Sequence, residues 1–374
     1  MIEMSEQKNK FIQFAIICEI EGNVNADERI GQRITIKKFV SKEGIYPYVS
    51  ARAIKKGIKE ALSLTEENVD PYNISFGDQE GDSGDFINYI DQDIFGYMLP
   101  TDPPIRRKSP IEISYLVSIH PVPIIPEFGG RFPKFGNPVP FEIEQAKFVG
   151  KFYGNIYNYI GVFHESEIKE EILKKLENGE YNNEIDQKEN REEGIGRYFV
   201  LKKDKRVDRL KKVLEILLLG KFRLPRSTNQ LNQGFYRYVV LLFSKSLKPL
   251  PTYVTIKYKK EREYEIHKTE KDGKIVEKVV EKYNEGYELD LERLEEFSKL
   301  LEGGETIYII DFVGNLNTQN KEEKIKIIKP HEVKDKIINN IENFISLDDF
   351  GYYLKFYKGY EFSKKKKKET TEDQ

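Results

Sequence analysis

The stretch "GIYPYVSARAIKKGIKEAL", residues 44–62, decides how the rest of the chain is read. An extended aromatic segment gives way to a helix at Ser50, a residue type that caps helix N-termini with its side-chain oxygen. Ile54, Ile58 and Leu62 recur four apart and give that helix one apolar stripe. Arg52, Lys55, Lys56 and Lys59 gather positive charge on it. Free N–H groups, a hydroxyl and cations together make a helix N-terminus a natural phosphate site.

Before it, "KFIQFAIICEIEG" is a long Ile- and Phe-rich run ending in Gly22 and reads as a buried strand. "NVNADERIGQR" reads as a loop, and "ITIKKFV" as a short alternating strand. After the helix, residues 65 to about 110 lose periodicity and read as an insertion. "SPIEISYLVSIHPV" returns to strand character. "PVPIIPEFGGRFPKFGNPVPFEIE" carries Pro and Gly too densely for a core element and reads as an exposed arm. "AKFVGKFYGNIYNYIGVF" is an aromatic-rich strand, and a charged, solvated stretch follows over about 164–196.

Val207, Leu210, Val213, Leu214 and Leu217 mark an amphipathic helix closed by Gly220, and "QGFYRYVVLLFSK" reads as a buried strand. The core order is strand, helix, strand, strand, helix, strand: an α+β, ferredoxin-like or RNA-recognition-motif fold interrupted by two insertions. Beyond residue 250 a hairpin turning at Asp272-Gly273, the helix "DLERLEEFSKLLEGG", the strand "TIYIIDFVG" and the helix "HEVKDKIINNIENFISL" follow. The Lys364–Lys368 run reads as part of a solubilising tail.

The chain has 374 residues, enough for one elaborated domain or two smaller ones. Sixty-one Lys and Arg stand against 63 Asp and Glu, a net charge of -2, so any nucleic-acid surface must be a local patch. The single Cys18, in an apolar run, excludes an internal disulfide framework and fits the reducing cytoplasm. No run of about 18 apolar residues marks a membrane span, so a soluble protein without membrane contact is expected.

No strong catalytic motif is present: no phosphate loop, no G-x-G-x-x-G after the first strand, no G-x-S-x-G elbow and no paired CxxC. "HEVKD" at 331–335 has Asp where a zinc helix needs its second His. Asp78, Glu80 and Asp82 alternate as in a calcium loop, but Ser83 and Tyr89 occupy the positions of its Gly and Glu. No enzyme activity, metal or cofactor is expected. The cations instead form a track. Asn23, Asn25 and Arg29 offer donors beside the first strand, as does Arg33. Phe128, Arg131, Phe132, Lys134 and Phe135 interleave aromatics with charge. Lys221, Arg223 and Arg226 lie in one loop, and Arg107 stands between Arg106 and Lys108 in another.

"GIYPYVSARAIKKGIKEAL", "DQDIFGYM", "SPIEISYLVSIH" and "KFYGNIYNYIGVF", in that order, closely resemble the CRISPR-associated Cas seven family, specifically its DevR-like members of subtype I-B, over about residues 10–245. The resemblance implies a hand-shaped molecule: a palm whose first half is 1–64, an inserted fingers region at 65–110, a palm strand at 111–119, a thumb hairpin at 120–147 and the second half of the palm at 148–250. A C-terminal elaboration of the palm (251–360) and a disordered charged tail (361–374) complete it.

It also implies a non-catalytic backbone subunit of the Cascade surveillance complex. Its copies oligomerise along the guide RNA (crRNA), and the thumb displaces bases periodically so that the segments between can pair with target DNA. Other partners would be the Cas five, Cas six and Cas eight subunits. By position, Ser50, Arg52, Lys55 and Lys59 would grip guide phosphates and Met98 would lie beside a base. Tyr97 stands where related subunits tend to carry a basic residue. Phe128, Phe132 or Phe135 would be the base-displacing wedge. Two alternatives stay open: an RNA-cleaving subunit of a type III-like complex, with Asp27 or Asp82 as the cutting residue, and a stand-alone nucleic-acid-binding regulator.

Overall fold

The computed structural model describes residues 9–22, 26–65, 68–70, 82–224, 235–271, 274–316 and 323–360. β1 (Phe11–Gly22) is the central strand. The following segment, expected as a loop, is partly a hairpin: β2 (Ala26–Ile30) turns at Gly31 into β3 (Arg33–Ile36). Gly31 has φ +62°, which admits this turn where a β-branched residue would be strained. β4 (Lys38–Ser41) and β5 (Gly44–Val49) form a second hairpin that runs into α1 (Ala51–Ser63).

In the insertion, the described residues include α2 (Ile90–Ile94) and the small hairpin of β6 (Tyr97–Leu99) and β7 (Ile105–Arg107). Two short strands, β8 (Ile111–Ile113) and β9 (Leu116–Ser118), lead to β10 (Ile125–Arg131). β10 pairs with the 19-residue β11 (Val139–Tyr157) to make the projecting arm. β11 continues from the arm into the sheet, where it lies beside β1.

The stretch 164–196, expected to be solvated, is largely folded. β12 (Val162–His164), α3 (Glu170–Glu177), β13 (Ile185–Asn190) and β14 (Gly196–Leu201) build a three-stranded sheet with one helix. Ile168, Ile172, Leu176 and Ile185 bury themselves with Phe86, Tyr97 and Leu99 of the insertion. α4 (Lys203–Leu218) ends before Gly220 at φ +62°, and β15 (Phe235–Ser244) returns to the sheet.

Beyond it come α5 (Leu250–Tyr253), the long paired strands β16 (Ile256–Lys271) and β17 (Lys274–Leu289), and α6 (Leu291–Ser298), capped by Asp290. The turn at Asp272-Gly273 itself lies outside the described residues. β18 (Thr306–Asp311) and β19 (Ile325–Ile328) extend the sheet. The expected helix near residue 335 is a series of short turns ending in α7 (Ile341–Phe344); its π turn at Lys334–Ile338 lets adjacent Ile337 and Ile338 both be buried. α8 (Gly351–Leu354) follows, and the expected tail at 361–374 is outside the described residues.

The main sheet runs β19-β18-β15-β1-β11-β9-β5-β4, and its centre is antiparallel. Phe14, Ile16, Cys18 and Ile20 of β1 face Ile54, Ile58 and Leu62 of α1 and Leu210, Val213 and Leu217 of α4. Ala15 and Ile17 point the other way, toward Leu250 of α5 and Leu294 and Phe297 of α6. Burial on both faces is why β1 reads as an uninterrupted apolar run rather than an alternating one. The molecule is a mixed α+β protein, and no described helix is long and apolar enough to cross a membrane.

Candidate nucleic-acid interface

Ser50 leaves β5 with extended dihedrals, φ -69° and ψ 150°, and its Oγ accepts the N–H of Ala53 at 3.3 Å. The first turn of α1 carries no acidic side chain. Arg52 is exposed and makes no ion pair with any described residue. Lys55 is half-buried: its Nζ lies 3.5 Å from Ser109 Oγ and 5.1 Å from the centroid of the Phe95 ring. Burial first, and Lys59 second, push its pKa down to about 8, with Glu112 opposing them. This ammonium is short of negative charge, which a phosphate would supply.

Lys59 corrects the sequence reading. Its Nζ is 3.1 Å from Oδ2 of Asp91, a carboxylate on α2 with no exposed surface. Pulling Lys59 out to a phosphate would take a cation away from this buried carboxylate, so its role is to fasten α1 to the insertion. The spacing of Lys55 and Lys59 puts both on one side of the helix, as expected, but that side faces protein.

Arg107 is a second correction, because its side chain is fully buried. The guanidinium donates to Asp93 Oδ1 at 2.5 Å, to Glu167 Oε2 at 3.2 Å and to the carbonyl oxygen of Val162 at 2.8 Å, and it lies over the Phe163 ring at 3.9 Å. Strand alternation explains the error: in β7 neighbouring side chains point to opposite faces, so burying Arg107 turns Arg106 and Lys108 outward. Arg106 is paired in register with Met98 of β6, and both are exposed. The basic surface of "IRRKSP" is therefore formed by the two cations flanking Arg107.

The same network contains functional support that the sequence did not reveal. Asp93 also takes a hydrogen bond from Arg209 Nη1 of α4 at 2.7 Å. Glu167 accepts from the backbone N–H of Lys108 at 3.1 Å and from the hydroxyls of Tyr353 and Tyr357, the latter at 2.6 Å. Lys108 Nζ sits 4.0 Å from the ring centroid of Phe356. The insertion, α4 and the C-terminal segment thus share one buried anchor. The cluster of aromatics in "FGYYLKFYKGY" was the available signal, because tyrosines need polar partners when buried.

On the arm, Phe128, Phe132 and Phe135 are all exposed, and Lys134 Nζ lies 5.7 Å from the Phe135 ring centroid. At the arm's base Glu144 is buried. It accepts from the Ile36 N–H at 3.1 Å and Lys38 Nζ at 2.7 Å, and Arg33 Nη2 is 3.0 Å away. Burial opposes its ionisation, but these partners prevail and hold its carboxyl below the usual range. Arg33 and Lys38 therefore anchor the arm.

Gly57 of α1 is where the 221–224 segment passes, since a Cβ there would meet the carbonyl oxygen of Arg223 at 2.1 Å. This brings Arg223, exposed and without an ion pair among the described residues, alongside α1. Lys221 instead pairs with Glu215 at 2.7 Å. Asn23, Asn25 and Arg226 lie outside the described residues, as do the side chains of Arg29, Arg131 and Asp27. Asp78 and Glu80 lie outside them too, while Asp82 Oδ2 accepts the N–H of Met98 at 3.3 Å. Among the described residues no group of His, Cys, Asp and Glu is placed to hold a metal.

The family model described as "CRISPR-associated negative auto-regulator DevR/Csa2" matches residues 19–264. The chain belongs to this CRISPR-associated family. Among solved structures, a chain described as "CRISPR RNA-guided surveillance complex" is similar at TM-score 0.47 and 11% identity, over 88% of this chain and 99% of that one. Another, "CRISPR RNA-guided surveillance complex, pre-nicking", has TM-score 0.46 and 9% identity over the same shares. No curated protein matches the chain.

Proposed function

We propose that the protein is a non-catalytic backbone subunit of a type I-B Cascade complex in the cytoplasm, whose copies line up along a guide RNA and hold its phosphates. The observation that carries this reading is the electrostatic imbalance at the start of α1. There a Ser50 cap, an exposed Arg52 with no ion pair among the described residues and the charge-deficient ammonium of Lys55 converge, with Arg223 passing nearby. Phosphate contacts of this kind position a strand without reading its sequence, which suits a protein that must accept any guide.

In this reading β15, β1, β11 and β9, with α1 and α4 on one face, are the ferredoxin-like palm. The insertion, with Met98 and Arg106 side by side at its surface, serves as fingers. The β10–β11 arm is the thumb, and its bare phenylalanines wedge between bases, at a cost of a few kcal/mol per unstacked step. Pairing of the displayed guide segments then selects target DNA. The Cas five, Cas six and Cas eight subunits would complete the assembly.

The test is to co-express the chain with a repeat–spacer RNA, purify it and digest the exposed RNA with nuclease. Protection that lengthens in uniform steps as subunits are added is the expected result. Failure to retain RNA would overturn the reading, and cleavage at uniform steps would move the protein into the RNA-cleaving class.

A further inference from the structure

The face of the main sheet opposite α1 is covered from β19 across to β1 by α5, α6 and the segments next to them. Toward β9, β5 and β4 it is open, and there it is aromatic. Phe39 of β4 stacks on Tyr48 of β5 with ring centroids 4.3 Å apart and planes at 17°. Tyr48 in turn stacks on Tyr115, just before β9, at 5.3 Å and 11°. Tyr153 of β11 adjoins this row: its carbonyl accepts the Ser114 N–H at 2.8 Å, and its partner across β1 is Ala15, whose side chain lies on this same face. Phe39, Tyr115 and Tyr153 are 45%, 48% and 42% exposed, so the ends of the stack are open to solvent.

Cross-strand stacking by itself stabilises a sheet. Here a second observation points to a ligand, because the aromatic row has a cationic flank. Lys151, in register with Val117 and hence with Tyr48, sits two residues from Tyr153 on the same face. Its ammonium donates to the carbonyls of Pro251 and Val254 at 2.9 Å each, and neither brings a negative charge. Arg293 of α6 is close enough to repel it, is exposed, and makes no ion pair with any described residue. Partly exposed aromatic rings beside cations that have no carboxylate partner among the described residues match the two parts of a single-stranded nucleic acid, bases and phosphates.

We propose that the Phe39–Tyr48–Tyr115 stack, extended by Tyr153 and flanked by Lys151 and Arg293, is a stacking platform for unpaired bases of single-stranded nucleic acid. It is a second site, on the sheet face opposite α1, and does not depend on the guide-holding role of the Ser50 patch.

The chain contains no tryptophan, so Tyr115→Trp places a single reporter at the end of the stack. Titrating the full-length variant with an oligothymidylate of about a dozen residues should quench its emission. The quench should survive replacement of Ser50, Arg52 and Lys55 by Ala, and Tyr153→Ala should weaken the apparent affinity roughly tenfold. In parallel, ultraviolet crosslinking of the wild-type chain to a bromouracil-substituted oligonucleotide should label Tyr48, Tyr115 or Tyr153, which keeps the test valid if a variant misfolds. Unchanged emission in a variant with native circular dichroism, or crosslinks only elsewhere, would overturn the proposal. Loss of the quench in the Ser50 variant would overturn it as a separate site. A change of emission with protein concentration alone would assign the platform to a second copy of the chain and likewise overturn it.

Discussion

Arg107 and Asp93 face each other at 2.5 Å with neither side chain exposed, and through their further partners, Glu167 and Arg209, this pair fastens the insertion to the rest of the molecule. Asp93 is shared with Arg209 of α4, and Arg107 is shared with Glu167, so removing either member strands charges on two elements. Burial disfavours the charged guanidinium, but Asp93 and Glu167 outweigh that effect and keep Arg107 protonated.

Arg107→Ala should therefore destabilise the protein by about 3–5 kcal/mol, the usual cost of breaking a buried pair from one side. Arg106→Ala, one residue away but exposed, should stay within about 0.5 kcal/mol while weakening RNA binding. Urea unfolding and filter binding on both variants separate the two roles. Similar stability losses for the pair would contradict the alternation seen in β7.

Lys59 and Arg52 form a comparable contrast on α1. Lys59→Met leaves the buried Asp91 carboxylate short of its cation and should lower stability measurably. Arg52→Ala should leave the unfolding midpoint unchanged, reduce RNA affinity, and lower the slope of log affinity against log salt by about one. If the salt slope stays the same, Arg52 does not contact phosphate.

If Lys55 holds a guide phosphate as proposed, it makes binding depend on pH in a defined direction. Its pKa is lowered to about 8 by burial and by Lys59, and a bound phosphate would raise it. Binding then takes up a proton above pH 8, so affinity should fall as the pH rises from 8 toward the ordinary lysine range. Stability moves the other way: over this interval the unfolded chain binds more protons than the folded one, so folding becomes more favourable as pH rises. Lys55→Arg should remove the pH dependence of binding, as titration calorimetry in two buffers would reveal.

In the proposed reading the arm's aromatics serve function without supporting the fold. Because Phe128, Phe132 and Phe135 are exposed, replacing all three with Ser should leave the melting temperature unchanged to within a few degrees. In an RNA-loaded assembly the same change should flatten the periodic reactivity of bases to chemical probes while retaining RNA. Periodicity that persists would place the wedge elsewhere.

Elements whose signals are local were legible in the sequence. β1 announced itself as a continuous apolar run, α1 by its Ser50 cap and four-residue spacing, and α4 by its stripe and closing glycine. Other features were fixed by distant partners. Glu167 looked solvated because the tyrosines that satisfy it lie 186 and 190 residues away. Arg107 looked like a surface cation because the parity of a three-residue strand cannot be read without its neighbours. Lys59 looked free because Asp91 belongs to a segment with no periodicity. Within the candidate site, the cap and Arg52 could be read locally, whereas the division of the lysines between phosphate and carboxylate could not.

The shared anchor at Glu167 also sets an order of assembly. Two of its donors, Tyr353 and Tyr357, lie far downstream of the insertion it secures. During synthesis the strands of the main sheet through β15 can emerge and pair while that anchor is still incomplete. The insertion is then fastened only by its earlier partners until the residues around 357 leave the ribosome. Closing contacts of such long sequence separation is slow, so a ribosome-bound chain stopped short of α8 should carry a protease-sensitive insertion on an already folded sheet.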